Sequence, residues 1–354
     1  GTHGKTTTTS LASSVLAEAG LDPTFVIGGQ LNSAGSNAYL GQSPYLVTEA
    51  DESDASFLHL LPMMAVVTNV DLDHMQTYDG DPDKLYDTFV SFLQQLPFYG
   101  LAILCLDDPG VQTILPRVSR PVLTYGFSAQ ADILASDLVY LDDRIQFTLQ
   151  RQAKENLIIT LNMPGKHNVL NALAAIAIAT SLGVDDDSLV KSLSEFKGVA
   201  RRFEVLGEIE TPSAGKATLV SDYAHHPIEL AATLEAAHEA YPNRRVVMAF
   251  QPHRYSRTRD LFDDFVKALS AADLLLVLPV YAAGEEPITH ADSRALCRSI
   301  RQRGNLDPVF IEDEAELNSV LHNILEPNDV LLCCGAGSIG KMAASLMGRI
   351  KEGV

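Results

Sequence analysis

The 354-residue chain has no tryptophan, four cysteines and only 26 lysines and arginines against 45 acidic residues. Each scarcity excludes something. A formal net charge of −19 argues against a nucleic-acid or anionic-membrane partner, which would need a basic face. It also requires that any anionic substrate find a local basic pocket. Cys105, Cys297, Cys333 and Cys334 have neither zinc spacing nor a disulfide framework, so reduced thiols and a cytoplasmic location are expected. No run is long and apolar enough to span a bilayer, so no membrane partner is expected. No signal-peptide pattern opens the chain. Internal repeats and low-complexity tracts are also missing.

What is present is a globular composition, 46% hydrophobic, at a length that suggests two domains of roughly 150 residues or more each. The chain opens on Gly1-Thr2-His3-Gly4-Lys5-Thr6-Thr7-Thr8-Thr9, the second half of a phosphate-binding loop. Gly4 lets backbone N–H groups turn toward an anion, Lys5 reaches nucleotide phosphates as a point charge, and the Thr6 hydroxyl suits magnesium. Leu11, Val15 and Leu16 recur at helical spacing, so a helix should start here with its positive end toward the phosphates. Four successive threonines form helices poorly, which points to packing or a ligand as their reason. Such a loop normally follows a buried strand. The sequence is therefore expected to be a fragment, with that strand upstream of Gly1.

Thr24–Gly28, Tyr45–Thr48, Ala65–Val70 and Leu101–Leu106 read as strands, and Asp83–Leu96 as an amphipathic helix. Alternation of this kind predicts a mostly parallel α/β sheet with ligands at the carboxyl ends of its strands. Glu49 follows a strand expected on the same sheet as the loop, where it could share magnesium with Thr6. Asp51, Glu52 and Asp54 are possible supporting acids. His74, after the third strand, is a candidate for a second cation site or for positioning substrate. Ile145–Leu149 and Leu157–Leu161 read as antiparallel hairpins decorating the sheet, and the alanine-rich stretch from about Val169 to Ser181 as a buried helix.

A second unit is expected from Val199, with strands at Leu219–Tyr223, Arg245–Phe250, Leu274–Leu278, Val309–Ile311 and Val330–Cys334. Two polar stretches follow strands here: Ser221–Pro227, with His225 and His226, and Gln251–Arg259, with His253, Arg254, Arg257 and Arg259. Arginine forks suit carboxylate and phosphate, which makes the second stretch the required basic pocket. Arg201-Arg202 lies between the units, a cation for phosphate on domain closure. Gly335-Ala336-Gly337-Ser338-Ile339-Gly340 is dinucleotide-like in pattern, but a tight strand–helix turn explains it better.

Together these motifs give the chain a specific resemblance to the Mur ligases. It rests on Gly-Thr-His-Gly-Lys-Thr-Thr-Thr at 1–8, Glu-Ala-Asp-Glu-Ser-Asp-Ala-Ser-Phe at 49–57, Asp-His-Met at 73–75 and Pro-Gly-Lys-His-Asn-Val-Leu-Asn at 164–171. It continues with Arg-Arg-Phe-Glu at 201–204, Asp-Tyr-Ala-His-His-Pro at 222–227 and Gln-Pro-His-Arg-Tyr-Ser-Arg-Thr-Arg at 251–259. The resemblance implies a central P-loop ATPase domain at 1–198, a C-terminal Rossmann-like α/β domain at 199–354, and a further N-terminal UDP-sugar-binding domain in the full-length chain. It implies ATP bound by Gly1, Thr2, His3, Gly4, Lys5, Thr6, Thr7, His167, Asn171, Arg202 and Asp222, with Asn171 at the adenine and Asp222 on the ribose side. It implies magnesium at Thr6, Glu49 and His74, and catalysis by Lys5, Glu49, His74 and Arg202. His225, His253, Arg254 and Arg257 would line the amino-acid and muramoyl side. The implied substrates are UDP-N-acetylmuramate and L-alanine, joined through an acyl phosphate in peptidoglycan synthesis. Family members adding the second and third amino acids carry a carbamylated lysine after the Asp-His motif, where this chain offers Phe89. The tripeptide-recycling member typically has tyrosine where Ser53 stands. Folate-extending ligases lack Asp-Tyr-Ala-His-His-Pro. A non-ligating, ATP-binding fragment is the alternative of another class.

Overall fold

A computed structural model describes residues 1–304 and 306–352 and divides the chain into two compact units, 1–200 and 201–354. In the first unit α1 (Lys5–Glu18) is followed by β1 (Thr24–Leu31), β2 (Ser36–Tyr39), β3 (Leu46–Thr48) and β4 (Met64–Val67). Next come α2 (Pro82–Gln94), β5 (Leu101–Cys105), α3 (Pro109–Ile114), β6 (Val122–Gly126), β7 (Ile133–Leu141), β8 (Arg144–Arg151) and β9 (Leu157–Leu161). Helices α4 (Lys166–Ser181) and α5 (Asp186–Ser194) complete it.

The strands form two sheets rather than one. A six-stranded sheet runs β4-β5-β6-β7-β8-β9, and a three-stranded one runs β2-β1-β3. Two expectations change here. The strand before Glu49 lies, among the described residues, on the small sheet, paired in parallel with β1. The hairpins do not decorate the main sheet but continue it, because β7 pairs in parallel with β6 while β8 and β9 add antiparallel strands, the β7–β8 register shifting between Ser136 and Val139. β4 is also shorter than expected. Thr68 and Asn69 leave it because their side chains donate to the His3 carbonyl, at 2.7 and 3.0 Å.

The threonine run has a packing reason. Thr6, Thr7, Thr8 and Thr9 are all buried, as are Leu11, Val15 and Leu16, and α1 lies against α4, α5 and β1. Helix α4 is buried from Ala172 to Ala177, as its composition requires. A single core cluster joins Leu11 and Val15 of α1 to Ile103, Phe147 and Ala175.

The second unit contains β10 (Glu204–Thr211), β11 (Gly215–Asp222), α6 (Pro227–Ala240), β12 (Val246–Phe250), α7 (Tyr255–Asp260), α8 (Phe262–Leu269) and β13 (Leu274–Val277). It continues with α9 (Ser293–Gln302), β14 (Val309–Phe310), α10 (Glu314–Ile324), β15 (Val330–Cys334) and α11 (Ile339–Glu352). Its sheet order is β10-β11-β15-β12-β13-β14. All pairings are parallel except β10 with β11. β12 and β15 are buried along their whole length and consist almost entirely of apolar residues, as a sheet covered on both faces demands. The basic stretch after β12 is largely helical: Arg257 and Arg259 lie on α7. Among the described residues no helix is long and apolar enough to cross a membrane.

Candidate functional site

The first site forms where α1 begins. Gly4 takes φ 80°, and a β-carbon there would meet Asn171 Oδ1 at 2.4 Å, so glycine is required twice over. The loop before it is stitched to the segment after β4. Thr2 N–H donates to Asn69 O at 3.2 Å, His3 N–H donates to Asn69 Oδ1 at 2.7 Å, and the Asp71 amide donates to the Thr2 hydroxyl at 3.0 Å. The His3 ring meets Asp71 Oδ2 at 3.0 Å. The loop shape is thus set before any ligand arrives.

Lys5 curls back over this loop. Its Nζ donates to Thr2 O at 3.0 Å and to Glu52 Oε2 at 2.8 Å, with Asp51 at 3.8 Å. Glu52 is 1% exposed, and its Oε1 has no hydrogen-bond partner among the described residues. The Glu52 backbone is held from the loop after β4, where the Tyr78 hydroxyl donates to the Glu52 carbonyl. Burial, followed by the charges of Glu52 and Asp51, pushes that phenol up to about 12.

Glu49 and Thr6 meet the paired glycines of β1. Glu49 Oε1 accepts from Gly28 N–H at 2.6 Å, and a β-carbon on Gly29 would touch the Thr6 methyl at 3.0 Å. The donor set is therefore carboxylate and hydroxyl oxygen, including one buried carboxylate oxygen with no partner, and it fits a hard divalent cation such as magnesium. His74 stands seven residues beyond β4 rather than at its end, in left-handed backbone (φ 54°), and pairs with Asp73 on its own loop at 3.4 Å.

Other residues expected at the nucleotide have structural occupations. Asn171 is buried, accepts from the Thr8 hydroxyl at 3.2 Å and donates to Asn168 Oδ1 at 3.2 Å. It fastens α4 to α1 behind the loop. His167 is half-buried in the first turn of α4, and Thr7 is buried in α1. Phe89 is fully buried and packs edge-on against Phe57, so it belongs to the core of α2 and not to a metal site. Asp222, in the second unit, is buried with both oxygens engaged by backbone amides: Ala224 N–H at 2.6 Å and Phe203 N–H at 2.7 Å. Burial raises its carboxyl to about 6, against the lowering influence of Arg202 and the two amides.

The second site lies at the carboxyl ends of β11, β12, β13 and β15. Four rings make a row: Tyr223 to His225 at 5.3 Å, His225 to His253 at 5.7 Å, and His253 to Tyr281 at 5.5 Å. Guanidinium groups of Arg201 and Arg202 sit 4.8 and 5.1 Å from the centre of the Tyr223 ring, a cation–π arrangement. Arg201 also donates to the Gly335 carbonyl and lies where any side chain at Gly340 would go. His225 Nδ1 faces the Tyr223 carbonyl at 3.0 Å, which makes it the protonated nitrogen of a neutral ring. Burial lowers the pKa of this ring; nearby Glu229 opposes the shift, and Arg257 adds to it. Burial, His225, Arg257 and Arg254 lower His253 to about 4. Two neutral imidazoles and the arginines therefore face one edge, suited to a carboxylate-bearing ligand.

The glycines after β15 serve packing. A β-carbon on Gly335 would meet Gln251 O at 2.7 Å, and one on Gly337 would meet Gln251 Oε1 at 2.4 Å. Gln251 accepts in turn from Ile339 N–H at 3.1 Å. Nothing in the sequence marked Tyr281 or Tyr78, and Glu52 stood there behind Glu49. Only Tyr78's three-residue spacing from Met75 of the Asp-His-Met motif could have marked it as sharing that loop.

Two family profiles match the chain: the Mur ligase middle domain over residues 1–179, and the domain described as "Mur ligase, glutamate ligase domain" over 201–337. Among solved structures, the UDP-N-acetylmuramate-alanine ligase of Thermotoga maritima is similar over 100% of this chain and 75% of its own, at 29% identity and a TM-score of 0.81. A UDP-N-acetylmuramate:L-alanyl-gamma-D-glutamyl-meso-diaminopimelate ligase from Neisseria meningitides is 31% identical over 57% of this chain and 65% of its own, at a TM-score of 0.51. The MurF ligase of Thermotoga maritima in complex with ADP shares the fold, at 18% identity and a TM-score of 0.75, covering 99% of this chain and 79% of that one.

Proposed function

The chain belongs to the Mur ligase family, and from that premise we propose that it joins L-alanine to the lactoyl carboxylate of UDP-N-acetylmuramate, driven by ATP. The observation that carries the ATP half is Lys5 at the head of α1, held over a pre-shaped loop by the buried Glu52. The alanine half is supported by the similarity, over the whole of this chain, to three quarters of the Thermotoga maritima alanine ligase.

In this reading the lactoyl carboxylate attacks the γ-phosphorus, ADP leaves and an acyl phosphate forms. The alanine amine, having lost a proton, then attacks the carbonyl carbon, the C–O bond to the phosphate breaks, and inorganic phosphate departs with that bond's electron pair. Lys5 and the first amides of α1 bind the β- and γ-phosphate oxygens, with Gly1 to Gly4 shaping the loop and His3 fixed by Asp71. Thr6 and Glu49, with His74 at a second position, would hold magnesium, which when bound neutralises phosphate charge. Arg202 supplies a further cation for the phosphoryl oxygens. Asn171 and His167 border the nucleotide from α4, and Asp222 fixes the segment bearing Arg202 by bonding Phe203. Arg254 and Arg257 take carboxylate groups, while His225 and His253 stay neutral and orient the incoming amino acid. Catalysis is then mostly positioning and charge stabilisation. Residues 1–198 form the ATP-binding domain in this scheme and 199–354 the acceptor domain.

The Neisseria relative, 31% identical over 57% of the chain, favours a second reading in which the acceptor is a tripeptide. Phosphate release measured with UDP-N-acetylmuramate and either L-alanine or the tripeptide separates the two. Release that depends on alanine is expected; release that depends on the tripeptide alone replaces the first reading with the second.

A further inference from the structure

The basic cluster after β12 is held by a loop that no motif marked. Arg254 has φ 70° and ψ 135°, a conformation strained for a non-glycine residue that persists only where the surroundings impose it. Those surroundings are residues 281–285, after β13. Tyr281 N–H donates to Pro252 O at 2.8 Å, and Arg254 N–H donates to Tyr281 O at 2.9 Å. Glu285 then accepts from Ser256 twice, from its N–H at 2.9 Å and from its hydroxyl at 2.6 Å. These bonds span the strained residue on both sides. The Tyr281 ring adds a face. It stacks on His253 with 9° between planes, at 5.5 Å, and is backed by Gly337, where a β-carbon would come within 2.7 Å of the ring. His253 is gripped on its other sides by the His225 ring and by Arg257 Nη1, which reaches His253 Nδ1 at 3.5 Å.

We propose that Tyr281 and Glu285 are positioning residues: the ring of Tyr281 fixes the orientation of His253, and the carboxylate of Glu285 fixes the turn that presents Arg254 and Arg257. Neither needs to touch substrate. The proposal deepens the acceptor-site reading above and rests on it for its kinetic consequence, but its structural consequence stands alone. Tyr281 is 43% exposed, so its ring is not there to fill the core. Glu285 carries a charge that the Ser256 bonds and Arg254 favour in its ionised form, lowering its pKa in spite of partial burial.

The test uses NMR titration of His253 in the whole chain, assigned with His253→Gln. The charged and titratable groups acting on that ring are His225, Arg257, Arg254 and Glu285. In the wild type its midpoint should lie near 4. Tyr281→Ala uncovers one face and should raise the midpoint by about one pH unit or more, whereas Tyr281→Phe should leave it in place. A folded Tyr281→Ala protein with an unshifted midpoint overturns the role of the ring. Should Tyr281→Ala fail to fold, Tyr281→Ser, which uncovers the same face of the ring, reads the same shift. For Glu285→Ala, hydrogen exchange at the Ser256 amide should accelerate at least about tenfold, and unchanged exchange overturns the role of the carboxylate. In the full-length ligase, Tyr281→Ala and Glu285→Ala should raise KM for L-alanine about tenfold with a smaller change in kcat and none in KM for ATP, and Tyr281→Phe should restore the wild-type value. If His253→Ala and Arg257→Ala leave alanine kinetics untouched, the acceptor-site reading fails while the titration and exchange results still decide the positioning claim.

Discussion

The two units solve opposite electrostatic problems. The first holds Asp51 and Glu52 against a single lysine at a helix start; the second gathers arginines and two neutral imidazoles at a sheet edge. A chain with net charge −19 repels anions at long range, so each site must recreate local attraction. The first does so with backbone amides, a lysine and oxygen ligands for a cation. The second does so by stacking cations on aromatic faces. Acidic groups face the lysine and the oxygen ligands in the first site, whereas in the second Glu229 and Glu285 are engaged by backbone amides and Ser256 and the arginines are left to meet a carboxylate.

The largest predicted effect breaks the first site. Lys5→Ala should lower ATP-dependent phosphate release on the order of 10²–10³-fold or more, since a charge aimed at the phosphoryl group is lost. It should also lower stability by about 1–3 kcal/mol in urea titration, because Glu52 is left buried without its ion-pair partner. Lys5→Ala combined with Glu52→Gln should recover the stability and not the activity.

Next comes the counterpart in the second site. Arg257→Ala should raise KM for the amino acid at least about tenfold and leave ATP binding unchanged, and steady-state kinetics with each substrate varied in turn would show it. An equal effect on both substrates would dissolve the contrast between the units.

The contrast is sharpened by Glu49→Gln, which should raise the half-saturating magnesium concentration several-fold, since a charged oxygen ligand is exchanged for a neutral one. The same titration on Arg257→Ala should match the wild type.

Asp222 gives the smallest effect, and it depends on pH. Its carboxyl is raised from 3.8 to about 6 in the folded chain. A raised folded pKa means that the neutral form is favoured by folding. The associated stability is full below about pH 4 and is lost as pH rises through 6, an effect of about 3 kcal/mol. Chemical denaturation at pH 4 and pH 7 should show this decline in the wild type and a flatter profile in Asp222→Asn, referenced to the change common to both proteins.

Much of this was legible in the sequence because it is local. The Gly-Lys-Thr turn, the alternation of strands and helices, and the basic stretch after β12 are written in consecutive residues. What was not legible depends on register and on distant partners. The division of the first unit's strands into two sheets follows from which edges pair, not from any strand's own pattern. Asn171 reads as a ligand residue, yet it also fastens α4 to Gly4 and Thr8 across 163 positions. Glu49 and Glu52 look alike in sequence; only the structure shows that Glu52 is the one buried against Lys5. Tyr281 sits in a loop without periodicity, and only the fold stacks it on His253.

Amino-acid-dependent phosphate release from ATP and UDP-N-acetylmuramate tests the proposed reaction most directly. Release should depend on L-alanine, with kcat/KM at least about 10²-fold above that for the tripeptide. Preference for the tripeptide, or release indifferent to any amine, would contradict it.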